Sequence, residues 1–424
     1  VTSKTISENE AYVWIWLPGA VEPVVAGRIS RSSDQYLFNY GQSYLSLDNA
    51  IPLNPYELPL QSGLIAPLPL LRLAGCLRDG SPDAWGRRTI MNRLANHGEL
   101  GDQIDETDEL LFMLYSGSNR TGSFDFQRTA TQYKARETSS ATLEELLRSA
   151  ERVEKGVPLT PALDKALMHG TSIGGARPKA QIIDNKKQYV AKFSSTTDTR
   201  EVVKSEYIAM RLAAIAGLNV AHVKFVRVAK KDVLLVERFD RTHTSKGWQR
   251  ECVLSALTLF ELDEMMGRYG SYADLATLVR LNFSDPKNTQ TELYGRMVFN
   301  ILIGNTDDHA RNHAAFWNGK ALSLTPAYDI CPQNRTGGEA SQAMKIAGDK
   351  NLSRLDLCLE SSALFGLNTQ AAQAIIEHQV QTIKNHWESV CNEVDLNETE
   401  RRLLRSRQIF NAFSVEGFED LIAS

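Results

Sequence analysis

The apolar positions of this chain change their period along its length. Between Ala11 and about Tyr40 they fall in short runs, "AYVWIWLPG" and "VEPVVAGRISRSSDQYLFNYG", rich in β-branched and aromatic residues and bounded by Gly, Pro and Ser-Ser-Asp, which predicts strands and turns. The period lengthens in "SPDAWGRRTIMNRLANHG". Here Ile90, Met91 and Leu94 form a helical stripe, Ser81 is placed to cap it with Pro82 in the first turn, and Gly98 ends it. A polar stretch, "RTATQYKARETSS", leads into a second amphipathic helix capped by a Ser or Thr before Leu143. Near Gly170 the texture changes again. "GTSIGGARPKAQIIDNKKQYVAKFSS" is a Gly-rich turn followed by two strand-like runs joined at Asp184-Asn185-Lys186, the pattern of a hairpin. "EVVKSEYIAMRLAAIAGLNV" then predicts a helix with Val203, Tyr207, Met210 and Ala214 on one face and Gly217 as its stop. "AHVKFVRVA" and "KDVLLVERFDR" predict two more strands, and from about Thr242 onward nearly every periodic segment is helical.

Gly-rich turn, hairpin, helix, hairpin and helical region, in that order, predict an α+β, two-lobed, protein-kinase-like fold. The expected organisation is a β-rich N-terminal subdomain over 1–135, an N-lobe with the Gly-rich loop over 136–240, and a mostly helical C-lobe over 241–424. Length agrees, because 424 residues exceed one ordinary core. A hydrophobic content of 42% with 23% charged residues is that of a soluble globular protein. No apolar run approaches the roughly 20 residues that span a bilayer, and the opening lacks a basic segment followed by an apolar one, so neither a membrane span nor a secretory signal is expected. Five scattered cysteines without a CxxC pair argue against a disulfide framework and fit a reducing, cytoplasmic setting. The net charge of -4 does not suit a nucleic-acid binder, although "ERRLLRSRQIF" offers either a local basic patch or a solvated helix face.

"NTDDHARNHAAF", Asn305 to Phe316, concentrates the candidate chemistry. Phosphoryl transfer needs a held triphosphate, divalent ions on its oxygens and a carboxylate beside the acceptor hydroxyl. Lys192, in the second strand of the hairpin, and Glu206, on the following helix, stand in the order of a phosphate-binding lysine and its orienting carboxylate. Asp307 opens a D-x-x-x-x-N match ending at Asn312, directly after the apolar helix "RMVFNILIGN". The spacing alone is weak, since Asp34–Asn39 and Asp329–Asn334 satisfy it too. Asp329, closing a short strand-like run, suits a second metal-binding carboxylate or a turn residue. Other readings carry less. His309 and His313 are four apart, as zinc ligands on a helix are, yet there is no H-E-x-x-H and no G-x-S-x-G elbow for a hydrolase. His309 is therefore expected to brace the loop through nearby backbone, with Asp308 an extra carboxylate tuning metal affinity. In the Gly-rich turn, Gly174 and Gly175 allow close approach to phosphates, with hydroxyls at Thr171 and Ser172.

Taken in order, "TSIGGARPKA", "YVAKF", "SEYIAMRLAAIAGLNV", "VERFDR", "IGNTDDHARNHAAF" and "LTPAYDI" resemble the HipA-like toxin kinases, with "DGSPDAWGRRTI" and "DELLFMLYSGSNRTGS" matching their N-terminal region. The resemblance implies a serine/threonine protein kinase, the toxin of a toxin–antitoxin pair, using ATP and Mg2+. Its acceptor would be glutamyl-tRNA synthetase or another translation factor, with growth arrest and persistence as the result. It also implies a role for each matching residue. Lys192 would contact the phosphates and Glu206 would orient it. The backbone from Glu237 to Phe239 would hold the adenine edge. Asp307 would be the base, and Asn312 and Asp329 would bind magnesium. Ser172 would be the autophosphorylated serine of the Gly-rich loop, and a small helix-turn-helix, HipB-like antitoxin would bring operator DNA. The rivals are a small-molecule phosphotransferase, whose signature places His-Gly before the base where Asn305-Thr306 stand here, and a catalytically idle corepressor.

Overall fold

Strands β1 (Glu10–Ile15), β2 (Val24–Ser32), β3 (Gln35–Tyr40) and β4 (Phe124–Gln127) form an antiparallel sheet in the order β3-β2-β1-β4. They belong to a computed structural model that describes residues 8–96, 107–136, 141–157, 159–160, 163, 172, 175–195, 198, 200–335 and 337–423. Gly98, Thr171 and Gly174 lie outside the described residues. The helix expected from Ser81 begins later, at Ala84, and runs to Asn96. Ser81 does not cap it, and its hydroxyl instead meets the Glu109 carboxylate at 3.3 Å. Beyond a short helix, Glu109–Tyr115, the second amphipathic helix runs over Leu143–Glu154 and is capped by Thr142 in a full capping box with Glu145, as its sequence predicts.

A second antiparallel sheet follows, from β5 (Lys179–Asp184), β6 (Lys187–Phe193), β7 (Val223–Val228) and β8 (Lys231–Glu237), in the order β5-β6-β8-β7. The β5–β6 turn places Asn185 and Lys186 at φ 47° and 62°, and the β7–β8 turn places Ala229 and Lys230 at 48° and 65°. Positive φ at both central residues of a two-residue loop matches the right-handed strand twist. Trp85, Leu146, Leu147, Tyr189, Ala191 and Val233 are buried together, so the helices Ala84–Asn96 and Leu143–Glu154 pack on this sheet. After Thr242 the chain is less helical than its pattern suggests. β9 (Arg241–Thr244) and β10 (Gly247–Arg250) form a ribbon held by backbone pairing, in a polar stretch with no apolar stripe to announce it.

The chain divides into two units, Val1–Asp198 with Val226–Leu254 and Trp317–Lys320, and Thr199–Phe225 with Ser255–Phe316 and Ala321–Ser424. The first, here the sheet unit, holds both of these four-stranded sheets except Val223–Phe225 of β7. In the second, the helical unit, the helix Pro286–Ile303 is buried on all sides from Leu293 onward, with Leu293, Met297, Phe299, Ile301 and Ile303 inaccessible to solvent. It stops at Gly304, whose φ of 72° is left-handed and where a Cβ would lie 2.5 Å from the Gln408 carbonyl oxygen. A rigid core helix thus ends where the Asp307 loop begins. All five cysteines are buried free thiols, and burial pushes Cys252 and Cys391 up to about 12. Among the described residues, no helix is long and apolar enough to cross a membrane.

Candidate active site

Within the helical unit, Asp307 is exposed and Asp308 is buried, although they are consecutive. The loop continues through a short 3-10 turn, Ala310–Asn312. The Asn312 side chain donates its Nδ2 to the Asp307 carbonyl oxygen at 3.3 Å, and its backbone N–H reaches the His309 carbonyl at 2.8 Å. The first of those bonds engages the side-chain amide nitrogen rather than Oδ1. Asp329 is brought to the same loop by its neighbours. The Tyr328 hydroxyl donates to the Arg311 carbonyl at 2.7 Å, and the Gln333 N–H to that of Gly304 at 2.9 Å. Asp329 itself has φ 60°, a left-handed position uncommon for a side chain other than glycine, of the kind that clusters at functional sites. Oxygen donors from Asn312 and Asp329 suit a hard cation such as magnesium rather than a soft one.

Two expectations about this loop are corrected. The bracing histidine is His313, whose Nε2 lies 3.1 Å from Asp308 Oδ2, whereas His309 Nδ1 is buried without a hydrogen-bond partner among the described residues. Asp308 does not face a metal site. Its carboxylate is 2% exposed and accepts from Tyr272 Oη as well as facing His313. Among the described residues, no group of three or more His, Cys, Asp or Glu side chains is placed to hold a metal ion. Glu206, also in this unit, is 4% exposed on the helix Val202–Ile215. The basic stretch near Arg401 forms the helix Glu398–Arg407, where Arg401 pairs with Glu388 at 2.5 Å and Arg402 with Glu398 at 2.6 Å.

Within the sheet unit, Lys192 sits on β6, half-buried, in register with Lys179 of β5 and Leu234 of β8. Glu237 closes β8 and pairs with Lys187 at 2.8 Å, and Phe239 follows two residues on. Gly175 has φ 108°, and a Cβ there would collide with the Lys179 ammonium at 1.8 Å. Its carbonyl accepts from the Trp85 N–H at 3.2 Å, while the Trp85 indole donates to the Lys179 carbonyl at 3.1 Å. One tryptophan therefore fixes the end of the Gly-rich turn.

Ser172 is buried, at 3% exposure. Its hydroxyl donates to the Asn119 carbonyl at 3.1 Å and accepts from Gln181 Nε2 at 3.2 Å, and Gln181 Oε1 accepts from Arg238 at 2.6 Å. Arg238 in turn grips Asp240 at 2.7 Å, which also receives Arg241 at 3.0 Å and the Gly122 N–H at 2.8 Å. Burial alone would raise the Asp240 carboxyl, but Arg238 and Arg241 hold it well below the usual carboxylate range. Asp125, in the same interior, is likewise lowered by Arg136 and Arg120 against its burial. Trp85, Asn119 and Gln181 were not among the residues the sequence singled out for chemistry, and Arg238 entered only through the backbone of Glu237 to Phe239. Trp85 and Asn119 lie in the N-terminal motifs, which say nothing of a contact with residues 172–181.

Comparison with known proteins places this geometry in a family. Residues 171–387, just over half of the chain, match the HipA-like C-terminal domain, and residues 17–127 match the HipA N-terminal domain. The serine/threonine-protein kinase toxin HipA of Shewanella oneidensis is 30% identical over 184 residues, 38% of this chain and 42% of the relative. Toxin YjjJ of Escherichia coli is 25% identical over 296 residues, 64% of this chain and 62% of that protein. Each of these matches thus spans less than two thirds of the relative's own length. A solved complex of Shewanella oneidensis HipA, HipB and operator DNA contains a chain that superposes with a TM-score of 0.72 at 18% identity, covering 96% of this chain and 99% of that one. This chain belongs to the HipA-like family and has its α+β, kinase-like fold.

Proposed function

We propose that this protein is an ATP- and magnesium-dependent serine/threonine protein kinase and the toxin of a toxin–antitoxin pair. The observation that carries the proposal is the Asp307 loop: an exposed aspartate whose backbone carbonyl accepts from the Asn312 side chain at 3.3 Å, with the Asp329 segment bonded to the same loop. Asp307 accepts the proton of the acceptor hydroxyl. Asn312 and Asp329 hold magnesium, which supplies neutralising charge on the transferring phosphoryl oxygens. Lys192 contacts the phosphates, Glu206 orients it, Gly174 and Gly175 let backbone approach them, and the Glu237–Phe239 backbone holds the adenine edge. The acceptor is a translation factor such as glutamyl-tRNA synthetase, with growth arrest and persistence as the outcome. A HipB-like antitoxin supplies most of the contact with operator DNA, consistent with a net charge of -4 on this chain.

Ser172 is the self-modification site in this proposal, and its burial adds a requirement. The hydroxyl must leave Asn119 and Gln181 before it can receive a phosphate. The phosphate then brings about -1.5 to -2 charges to a loop that would cover ATP, repelling the nucleotide and switching the kinase off. The test incubates the purified protein and a cell lysate with magnesium and γ-labelled ATP and maps the label by mass spectrometry. Label on Ser172 and on a lysate protein, lowered about 10² to 10⁴-fold by Asp307→Asn, is the expected result. Bound ATP without any transferred label overturns the proposal, and label only on a small molecule favours the small-molecule phosphotransferase.

A further inference from the structure

The D-x-x-x-x-N pair of the loop has a second pair one step along, Asp308 and His313, at the same spacing. Of the first pair Asp307 is exposed and Asn312 is buried, whereas both members of the second are enclosed, Asp308 at 2% and His313 at 3%, and Tyr272, which meets them, is fully buried. Asp308 Oδ2 receives the Tyr272 hydroxyl and the His313 Nε2–H, the latter at 3.1 Å. His313 Nδ1 has no partner among the described residues, so the bond to Asp308 is the imidazole's hydrogen bond. The Tyr272 and His313 rings also touch edge to face, with centroids 5.3 Å apart.

This cluster is anchored in the core on the other side. The Tyr272 hydroxyl accepts from Asn300 Nδ2 at 3.3 Å, and Asn300 Oδ1 accepts from Asn305 Nδ2 at 2.9 Å. Tyr272 opens the helix Tyr272–Asn282, and Asn300 belongs to the buried helix Pro286–Ile303. Both ends of the loop, Asn305 and His313, are therefore bonded into one chain of buried side chains. Backbone bonds hold the same residues: Met344 N–H to the Asp308 carbonyl at 3.2 Å, and Ala256 N–H to that of His313 at 2.7 Å.

We infer that Asp308, His313 and Tyr272 form a buried clamp that positions Asp307 and Asn312 for phosphoryl transfer. Asp308 shares a peptide plane with Asp307, as His313 does with Asn312, so holding the inner pair restrains the backbone from which the outer pair projects. The three are positioning residues, since none of them reaches the reacting atoms. Misplacement of a reacting group by about 1 Å can cost on the order of 10²-fold in rate, and loss of groups that orient metal ligands typically costs about 10 to 100-fold. The inference rests on the kinase proposal above.

The test compares Asp308→Asn, His313→Ala, Tyr272→Phe and the Asp308→Asn/His313→Ala double variant in the full chain, with magnesium and γ-labelled ATP. The expected result is a fall in kcat of about 10 to 100-fold for Asp308→Asn and His313→Ala, with KM for ATP within about threefold of wild type. The double variant falls no further than the worse single one, because the two side chains act as one unit. Ile376→Val, a buried substitution in the same unit, serves as control for lost stability and keeps kcat. If Asp308→Asn fails to fold, Tyr272→Phe, which keeps the ring and removes the hydroxyl, carries the test. Label transfer by the wild type with kcat within about twofold in the folded variants overturns the clamp alone, and no transfer by the wild type overturns the kinase proposal and the clamp with it.

Discussion

Ser172 and the Asp307 loop are held by contrasting means. Around Ser172 the contacts come from far along the chain: Asn119, 53 positions before it, then Gln181, and through Gln181 the buried charges of Arg238 and Asp240. The Asp307 loop is held by Asp308 with His313 five positions on, by Tyr272 and Asn300 of the two preceding helices, and by backbone bonds from Ala256 and Met344. The first arrangement places ionised groups in an interior where each depends on the others. The second relies on a turn, one carboxylate and an apolar helix. Buried charges that depend on one another make a seat that fails as a whole, whereas the loop hangs on one buried carboxylate and neutral hydrogen bonds.

The largest expected stability effect breaks the first of these. Asp240→Ala leaves Arg238 and Arg241 buried without their shared carboxylate, and should cost about 3–5 kcal/mol by urea unfolding of the sheet unit. Five of the six tryptophans, all but Trp387, lie in that unit, so their fluorescence reports its unfolding. Acid tests the same charges more gently. Asp240 and Asp125 are depressed in the folded state, so below the unfolded value of about 4 the unfolded chain binds more protons and stability falls as pH falls. The fluorescence midpoint in urea should therefore drop as pH is lowered from 5 towards 3. A flat midpoint across that window would mean that neither carboxylate is held ionised. The smallest test concerns a purely local feature. Ala229 sits at φ 48° in the β7–β8 turn, and Ala229→Gly should raise stability by about 1 kcal/mol by relieving a left-handed alanine.

What the sequence disclosed follows the same division. The Thr142 cap, the Asn185-Lys186 turn and the Gly217 stop depend on neighbouring residues, and each was legible from them. The D-x-x-x-x-N spacing was legible but not unique, and it was the apolar helix before Asp307 that singled it out. His309 was mistaken for the brace because both histidines lie in one polar stretch, where letters do not reveal which side chain turns inward. A register argument was available: Asp308 and His313 repeat the spacing of Asp307 and Asn312 one step later. The β9–β10 ribbon carried no apolar alternation, so its backbone pairing left no trace in the hydrophobic pattern. The seat of Ser172 was out of reach altogether, since no local pattern couples residue 119 to residues 172 and 238.

The buried cysteines give each unit its own clock. Cys76 and Cys252 lie in the sheet unit, and Cys331, Cys358 and Cys391 in the helical unit. An alkylating reagent needs an exposed thiolate, and all five thiols are enclosed, so each adduct counts an opening event. Mass increments assigned by peptide thus time the excursions of the two units independently in a single sample, with no label introduced and no residue replaced.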